Sequence, residues 1–373
     1  MVSKYYLLLN INIFIKMNLD KILYNKDFTK DELVFLLSLE GDDMKKLLDR
    51  ALEVKLREVG NEVYLRGLIE YSNICVKSCL YCGVRSKNMN FNRYTISDEE
   101  VLDCARMAMD LNYGSLAIQS GERSDKAFTD KITYLLKEIN KLSDGKLGVT
   151  LSCGEQSPEV YKEWFDAGAH RYLLRLESSN EDLYYKIHPK DSTHSFQTRL
   201  NALKSLIDNG YQAGTGVMIG LPFQTTEILA DDLLFFKKLN VAMVGMGPFI
   251  PHPETPLYEF KDEIPEDRVR LDMTLKMIAC LRLLMPKINM VAATADQTIS
   301  PNGREEAVMA GANIIMPNLT PTKYREEYMI YPNKACVGDK PQECQGCLDE
   351  RLKKINHKIG YNKWGDSKAF TEK

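Results

Sequence analysis

Short apolar segments alternate with helix-like segments eight times along the chain, and this alternation restricts the possible folds more than any other feature. The apolar segments lie at 66–71, 115–120, 148–153, 171–176, 213–219, 242–247, 288–293 and 313–316. Between them, apolar residues recur at helical spacing, for example at 99–111, 196–208, 227–239 and 268–284. Eight strands alternating with helices favour an α/β fold, a (βα)8 TIM-type barrel, over an open doubly wound sheet.

This barrel prediction divides the 373-residue chain into three parts. Residues 1–60 are expected to form a leader and helices that cap the barrel. Residues 61–320 are expected to form the barrel, and residues 321–373 a C-terminal segment that carries a second cysteine cluster. Active sites of such barrels lie at the carboxyl ends of the strands, so functional residues are expected in the loops that follow them.

The charge balance limits the possible partners. The chain has 49 basic and 52 acidic side chains, and its formal net charge is −3. A protein held to nucleic acid by bulk charge needs a basic excess, so no nucleic-acid partner is expected. Hydrophobic residues make up 44% and charged residues 27%, which are ordinary values for a globular protein and exclude a mainly disordered or coiled-coil chain.

The most hydrophobic segment lies at 5–15 (YYLLLNINIFI). It is too short to span a bilayer, and Asn10 and Asn12 interrupt it. We interpret it as a non-essential leader ahead of a start at Met17. The chain is therefore expected to be soluble and cytoplasmic, with no membrane partner.

The nine cysteines are unevenly spaced, with three inside eight residues and three more inside twelve near the C-terminus. An odd number in tight groups suits metal ligands better than disulfides. Cys75, Cys79 and Cys82 follow the first predicted strand, and three thiolates leave a fourth position open. A [4Fe–4S] cluster can keep one iron free for a small ligand, whereas zinc would need a fourth ligand from elsewhere. On spacing alone, both interpretations stay open.

The stretch SNICVKSCLYCGVR, with CxxxCxxC after the first strand and Tyr81 before the last cysteine, resembles the radical S-adenosylmethionine (SAM) superfamily. The resemblance implies that Cys75, Cys79 and Cys82 bind a [4Fe–4S] cluster beside Tyr81. It implies that SAM binds the open iron and is cleaved to a 5′-deoxyadenosyl radical. The cofactors then carry the chemistry, while the protein binds, orients and excludes water.

The same resemblance implies a SAM site built from several strand ends. A glycine-rich motif is expected after the second strand, and four residues of this chain occupy its place: Gln119, Ser120, Gly121 and Glu122. Met243, together with the strand-end glycines Gly216, Gly220, Gly245 and Gly247, is expected where adenine approaches. Tight turns explain the glycines equally well.

Two charged residues are further candidates for SAM binding. Glu177 ends an apolar strand, where an unpaired carboxylate is costly. It is expected at the amine or ribose of SAM, or else paired with Arg175 or Arg171. Arg199 lies early on the following helix, where its guanidinium could bind the SAM carboxylate through two hydrogen bonds. The alternative is an arginine exposed to solvent.

Longer blocks of the chain are similar to the HydE family of [FeFe]-hydrogenase maturases. The blocks include TLSCGE, VGMGPFIPHPETPL, NGREEAVMAGANIIMPNLTPTKYR and YPNKACV, and the similarity runs from about residue 18 to residue 365. The resemblance implies a role in H-cluster assembly on an iron–cysteine complex that carries CO and cyanide. It implies the maturases HydG and HydF as partners, and an electron donor such as ferredoxin or flavodoxin.

An anionic organometallic substrate needs cationic and hydroxyl partners in a closed chamber. The resemblance places the substrate-binding residues at Thr150, Arg175, Thr294, Tyr328 and Tyr331. Where the family has two adjacent threonines, this chain has Ala293 and Thr294, so one hydroxyl is lost.

A second cysteine group, Cys336, Cys344 and Cys347, lies on the polar C-terminal segment. By resemblance it binds an auxiliary iron–sulfur cluster, [2Fe–2S] or [4Fe–4S], with zinc or free thiols as alternatives. Methylornithine synthase, a similar radical SAM enzyme, has no such triad and is the second hypothesis for this chain. A third hypothesis, of another class, is an iron–sulfur carrier or scaffold without radical chemistry.

Biotin synthase is disfavoured. It needs a sulfur-donating cluster held by cysteines from several strands, and here only Cys153 could contribute. Cys104 and Cys280 lie in helical patterns and are expected in the core.

Overall fold

The computed structural model describes residues 17–372. The apolar segment at 5–15 and its interpretation as a leader lie outside the described residues. Within residues 17–372, no helix is both long and apolar enough to cross a lipid bilayer.

Eight parallel strands form a closed barrel in which the last strand pairs with the first, so the predicted (βα)8 architecture is confirmed. In chain order the strands are β1 (Glu62–Ser72), β2 (Ser115–Ser120), β3 (Gly148–Ser152), β4 (Ala169–Leu173), β5 (Gln212–Thr215), β6 (Met218–Ile219), β7 (Met243–Gly245), β8 (Gly247–Pro248), β9 (Asn289–Val291), β10 (Ile314–Ile315) and β11 (Lys358–Ile359). β6 and β8 form a separate parallel pair, and β11 adds to the start of β1. The other eight strands make the barrel.

Helices surround the barrel and fill the intervals between strands. They are α1 (Leu19–Ile22), α2 (Lys30–Ser38), α3 (Gly41–Glu58), α4 (Asp98–Asp110), α5 (Lys126–Ser143), α6 (Pro158–Asp166), α7 (Glu181–Ile187), α8 (Phe196–Asp208), α9 (Thr226–Leu239), α10 (Asp267–Leu284), α11 (Thr294–Ile299), α12 (Gly303–Ala310), α13 (Thr322–Arg325), α14 (Pro341–Lys354) and α15 (Lys368–Thr371), with a 3-10 helix at Pro256–Glu263. α2 packs against α9, and α3 packs against α10.

The barrel strands are apolar runs because both of their faces are buried, one inside the barrel and one beneath the helices. β2 shows this clearly: in its sequence SLAIQS, every residue except Gln119 is buried. The continuous hydrophobic pattern that predicted these strands is thus a direct consequence of the two covered faces.

The last residues of the chain close the amino end of the barrel. Arg171, buried in the middle of β4, donates from Nη1 to Asp366 at 2.7 Å and to the carbonyl of Trp364 at 2.8 Å. Asn289, which begins β9, donates to the carbonyl of Gly365 at 2.8 Å. Because this end is filled by the C-terminal segment, the chamber of the barrel lies at the carboxyl ends of the strands.

Candidate active site

A chamber of about 350 Å³ lies at the carboxyl ends of the barrel strands. Its walls include the three cysteines of the first group, the motif after β2, and residues from the loops after β4, β9 and β10. The predicted residues that line it are Cys75, Cys79, Tyr81, Cys82, Gln119, Ser120, Gly121, Glu122, Arg175, Glu177, Arg199, Gly245, Gly247, Thr294, Tyr328 and Tyr331. Gly216 and Gly220 do not line it. The closed barrel therefore brings together residues that are far apart in the sequence.

Cys75, Cys79 and Cys82 sit on the loop between β1 and α4. Burial raises the pKa of all three thiols, that of Cys82 to about 12, so their thiolates need a cationic partner. Within residues 17–372, no three His, Cys, Asp or Glu side chains are gathered around a single-ion site. The three thiols line one chamber, which suits the thiolate ligation of an iron–sulfur cluster.

An arginine that the sequence analysis missed organises this loop. Arg93 donates four hydrogen bonds of 2.7–2.8 Å to backbone carbonyls of the loop. The acceptors are Asn73, Val84, Arg85 and Asn88. No local spacing distinguishes Arg93 from a surface arginine, so the sequence carries no signal for this role.

The motif after β2 lies against the cysteine loop. The backbone N–H of Gly121 donates to the carbonyl of Ser72 at 2.7 Å, and that of Glu122 donates to Cys75 Sγ at 3.3 Å. A Cβ at Gly121 would lie 2.4 Å from the carbonyl oxygen of Ile74. Glycine is thus required by the close approach of two backbones, and the motif is more than a strand-end turn.

Tyr81 lies between two of the cysteines and is anchored by His188. The Nδ1 of His188 lies 2.9 Å from the carbonyl of Tyr184, which can only accept, so Nδ1 carries the proton. The Tyr81 hydroxyl therefore donates to Nε2 at 3.3 Å. Burial lowers the pKa of His188 to about 3, which keeps the ring neutral.

Glu122 and Arg199 belong to a buried network of four charges. Arg199 Nη1 lies 2.9 Å from Glu122 and 3.2 Å from Glu155, and Lys77 Nζ lies 3.0 Å and 2.9 Å from the same two carboxylates. Burial would raise the pKa of Glu122, but Arg199 and Lys77 hold it below its ordinary value. Nε of Arg199 has no protein partner. The alternative of a solvent-exposed arginine is wrong, because Arg199 is 8% exposed.

Glu177 pairs with Arg175, one of the two partners considered from the sequence. Arg175 Nη2 donates to Glu177 Oε2 and to the carbonyl of Val217, each at 2.9 Å. Glu177 has a left-handed backbone (φ 68°), which places it on a tight turn at the chamber wall. Asp232 holds that turn, because it accepts the N–H and the hydroxyl of Ser179 at 2.6 Å. Burial raises the pKa of Asp232 to about 7.

Two predicted site residues lie outside the chamber. Thr150 accepts a hydrogen bond of 3.0 Å from Arg171 Nε, within the group that closes the amino end of the barrel. Met243 accepts a hydrogen bond of 2.7 Å from Arg66 and packs in the apolar layer beneath the chamber. Each residue lies on the strand predicted for it, but its side chain lies below the chamber and not in its wall. Met246, three residues beyond Met243, does line the chamber.

The other predicted substrate-binding residues line the chamber, together with residues that were not predicted. Gln119 Nε2 donates to the hydroxyl of Tyr328 at 3.3 Å. Lys334 forms a buried ion pair with Glu70, and both residues line the chamber. This pair was not predicted from the sequence, although a carboxylate inside the apolar strand RGLIEY was a usable signal.

The second cysteine group lines a separate cavity of about 250 Å³ beside α14. Cys336, Cys344 and Cys347 share this cavity with Gln297 and Arg304. Cys104, Cys153 and Cys280, the other three cysteines of the chain, are buried in the core, as expected for Cys104 and Cys280. The chamber itself therefore contains only the sulfurs of Cys75, Cys79 and Cys82 among the described cysteines.

The sequence of this chain matches two family models and several known proteins. Residues 69–236 match the family model of the Radical SAM superfamily, and residues 247–336 match that of the Biotin and Thiamin Synthesis associated domain. The chain is 42% identical over 351 residues to the [FeFe] hydrogenase maturase subunit HydE of Thermotoga maritima, which covers 94% of this chain and 97% of that protein. The chain belongs to the HydE family. It is a radical SAM enzyme of [FeFe]-hydrogenase maturation whose cofactors are a [4Fe–4S] cluster and SAM.

More distant relatives share the architecture of the HydE family. The 3-methylornithine synthase of Methanosarcina acetivorans is 27% identical over 299 residues, 79% of this chain and 81% of that protein. The solved structure of HydG, a maturase of the [FeFe]-hydrogenase, superposes with a TM-score of 0.78 at 22% identity over 94% of this chain and 78% of that chain. At this identity the superposition shows the fold alone.

Proposed function

We propose that the chain cleaves SAM inside the chamber and directs the radical onto a small iron complex that carries cysteine, CO and cyanide, a precursor of the H-cluster. One observation carries the proposal: three thiols, three members of a buried network of four charges, and a set of cations and hydroxyls face a single chamber. The family supports the reaction class. The identity of the precursor rests on the resemblance and on the chemistry of the walls.

The donors in the chamber fit both cofactors. Cys75, Cys79 and Cys82 would hold the [4Fe–4S] cluster and leave one iron free. When bound, the cluster and SAM supply a reductive cleavage that yields methionine and a 5′-deoxyadenosyl radical. Gly121 leaves room beside the cysteine loop, and the unpaired Nε of Arg199 can donate to the carboxylate of SAM.

The charged network positions SAM. Glu122 presents a carboxylate for the SAM ammonium, and Arg199 a guanidinium for its carboxylate. Lys77 and Glu155 complete the network, so these two groups keep their charge and orientation before SAM arrives. A site organised in advance loses less entropy on binding.

The other walls suit an anionic complex. Arg175 and Lys334, each paired with a carboxylate of the wall, supply N–H donors, while Thr294, Tyr328 and Tyr331 supply hydroxyl groups. CO and cyanide ligands present lone pairs that accept from such donors. Thr150 faces the closed amino end, so the proposed substrate contacts exclude it.

We further propose an auxiliary iron–sulfur cluster at Cys336, Cys344 and Cys347. The three thiols line one cavity near the surface, away from the chamber. We propose HydG and HydF as partner maturases, ferredoxin or flavodoxin as electron donor, and the cytoplasm as location. All nine cysteines are free thiols, which is typical of a reducing compartment.

Complementation tests the proposal. A strain that lacks its HydE is transformed with the parent chain, with Cys79→Ser and with Cys104→Ser, and [FeFe]-hydrogenase activity is measured. The parent and Cys104→Ser should restore activity, because Cys104 lies in the core outside the chamber and serine can also make its hydrogen bond to the carbonyl of Leu319. Cys79→Ser should not. A folded, iron-loaded parent that fails to restore activity would contradict the proposal, whereas restoration without any cleavage of SAM would favour the carrier hypothesis.

A further inference from the structure

Arg304 lies between the chamber and the cavity of the second cysteine group. Its Nη2 donates to the hydroxyl of Thr294, which lines the chamber, at 2.9 Å. Its Nη1 points to Cys336 Sγ at 4.0 Å, and Gln297 Nε2 donates to the same sulfur at 3.8 Å. One side chain thus touches a hydroxyl in one cavity and a sulfur in the other.

The charge of Arg304 is buried and incompletely compensated. The side chain is only 3% exposed, its Nε has no hydrogen-bond partner, and no ion pair involves it among residues 17–372. Burial of a cation is costly unless an anion or strong acceptors balance it. The cavity that Arg304 faces is lined by three cysteines and by Asp339 and Glu343, neither of which forms an ion pair with Arg304, and an iron–sulfur cluster bound by three thiolates would place negative charge next to its guanidinium.

The backbone links the same two cavities. The segment 331–336 begins at Tyr331 in the chamber wall, includes Lys334 in that wall, and ends at Cys336. The N–H of Ala335 donates to Thr298 Oγ1 on α11 at 3.2 Å, and the Thr298 hydroxyl donates to the carbonyl of Thr294 at 3.1 Å. A displacement at either end would therefore be carried to the other through α11 and this segment.

Arg325 anchors the loop that follows Cys336. Its Nη1 donates to the carbonyls of Cys336, Val337 and Asp339 at 2.8–3.3 Å, and its Nε donates to the carbonyl of Thr320 after β10. The loop is thereby fixed to the barrel, and the sulfur of Cys336 is held in front of Arg304.

We infer that Arg304 is a positioning residue that couples the auxiliary cluster to the substrate chamber, holding Thr294 in place only when the cluster balances its charge. This inference rests on the proposed auxiliary cluster and on the proposed role of Thr294. On this inference, the second cysteine group does more than hold iron near the surface: it affects the position of Thr294 in the chamber.

The test compares Arg304→Met with Arg351→Met in the full chain reconstituted with iron and sulfide. Arg351 lines the same cavity, contacts Cys347 and pairs with Glu305, but makes no hydrogen bond to Thr294. Arg304→Met should lower the reduction potential of the auxiliary cluster, because it removes a positive charge and an N–H donor to sulfur. Hydrogen–deuterium exchange at 293–299 should rise about fivefold or more. Arg351→Met should leave that exchange at the parent rate.

A second variant tests the same coupling from the chamber side. Thr294→Val removes the hydroxyl in the chamber without touching the cysteines, and coupling between sites acts in both directions. It should therefore also shift the auxiliary-cluster potential. Arg304→Lys, which keeps the charge but not the fork of two donors, should give an intermediate exchange rate.

The outcomes separate this inference from the proposed function. If the parent chain binds no iron beyond the first cluster, the auxiliary cluster and the coupling are both wrong, while the cleavage of SAM is untouched. If the auxiliary cluster forms, and Arg304→Met changes neither its potential nor the exchange at 293–299, the coupling alone is wrong. Should Arg304→Met not fold, an unchanged auxiliary potential in Thr294→Val would equally overturn the coupling.

Discussion

Replacement of Arg199 tests whether the buried charge network binds SAM or only stabilises the fold. In Arg199→Met, Glu122 and Glu155 keep Lys77 as their single cation. The substitution removes the unpaired Nε of Arg199, and it also removes Nη1, which donates to Glu122 in the parent protein. A hydrogen bond to a charged group contributes about 1.5–3 kcal/mol. The dissociation constant of SAM should therefore rise roughly 10- to 150-fold.

Stability should fall as well, because the substitution breaks a buried ion pair. Such losses cost about 3–5 kcal/mol when one partner is removed. Glu155→Gln separates the two effects, since Glu155 belongs to the network but does not line the chamber. It should lower the free energy of unfolding, and it should weaken SAM binding less than Arg199→Met does, because it removes a partner that orients Arg199 and no contact to SAM.

The assay is anaerobic equilibrium dialysis with labelled SAM on the reconstituted protein, with chemical denaturation on the same samples. Arg123→Met is the matched control, because Arg123 adjoins Glu122 in sequence but pairs with Asp125 at 2.8 Å outside the chamber. Arg199→Lys keeps the charge but loses the fork geometry, and should bind SAM with intermediate affinity. Parent-like SAM affinity in a folded Arg199→Met protein would remove Arg199 from the SAM site and leave it a purely structural role.

Three further substitutions have defined outcomes. Gly121→Ala should abolish SAM cleavage, because its Cβ would lie 2.4 Å from the backbone of the cysteine loop. Gly338→Ala is the control and should cleave SAM like the parent, because its Cβ would meet nothing within 4 Å. The products of both variants are compared by chromatography. Asp366→Asn should lower the free energy of unfolding by about 3 kcal/mol, because it leaves Arg171 buried without its counter-charge, and a parent-like denaturation curve would refute this. Asp232→Asn should stabilise the protein at pH 8 more than at pH 5. The folded pKa of Asp232, about 7, exceeds the unfolded value of 3.8, so the folded state binds the proton more tightly and stability falls as pH rises from about 4 to about 7. Thermal unfolding at both pH values measures this gain, and an equal effect at both would exclude titration of Asp232 as the cause.

Much of the fold could be predicted from the sequence because each barrel strand is buried on both faces and appears as an apolar run. The first and last residues of the strands were harder to predict. The segment predicted at 171–176 becomes β4 at Ala169–Leu173, after which the N–H groups of Leu174 and Leu176 bond to the carbonyls of Gly214 and Gly216 outside the regular ladder. Hydrophobic runs alone do not show where a ladder becomes irregular.

The segments predicted at 213–219 and 242–247 each split into two short strands. The split occurs at Gly216, where a Cβ would lie 1.9 Å from the carbonyl of Gly245. This close approach of two backbones ends the barrel ladder, and β6 and β8 then pair separately. The glycines expected beside adenine thus also have a backbone role.

The sequence could not show how deep inside the barrel a side chain lies. Thr150 and Met243 were placed on the correct strands, but only the fold shows that they lie below the chamber. Pairs between distant loops were equally inaccessible. Lys77 and Glu155 are 78 residues apart, and Glu70 and Lys334 are 264 apart, so no local pattern relates them. Resemblance, by contrast, supplied most of the polar side chains that line the chamber, but few of the apolar ones.

The formation of 5′-deoxyadenosine tests the central claim most directly. The chain is reconstituted anaerobically with iron and sulfide, reduced with dithionite and incubated with SAM, and the products are separated by chromatography. The parent should release 5′-deoxyadenosine, and a folded Cys79→Ser protein should release none, because the three thiols of the chamber would hold the cluster. If the iron-loaded parent binds SAM but forms no 5′-deoxyadenosine, or if Cys79→Ser forms it at the parent rate, the assignment of radical chemistry to this chamber is wrong.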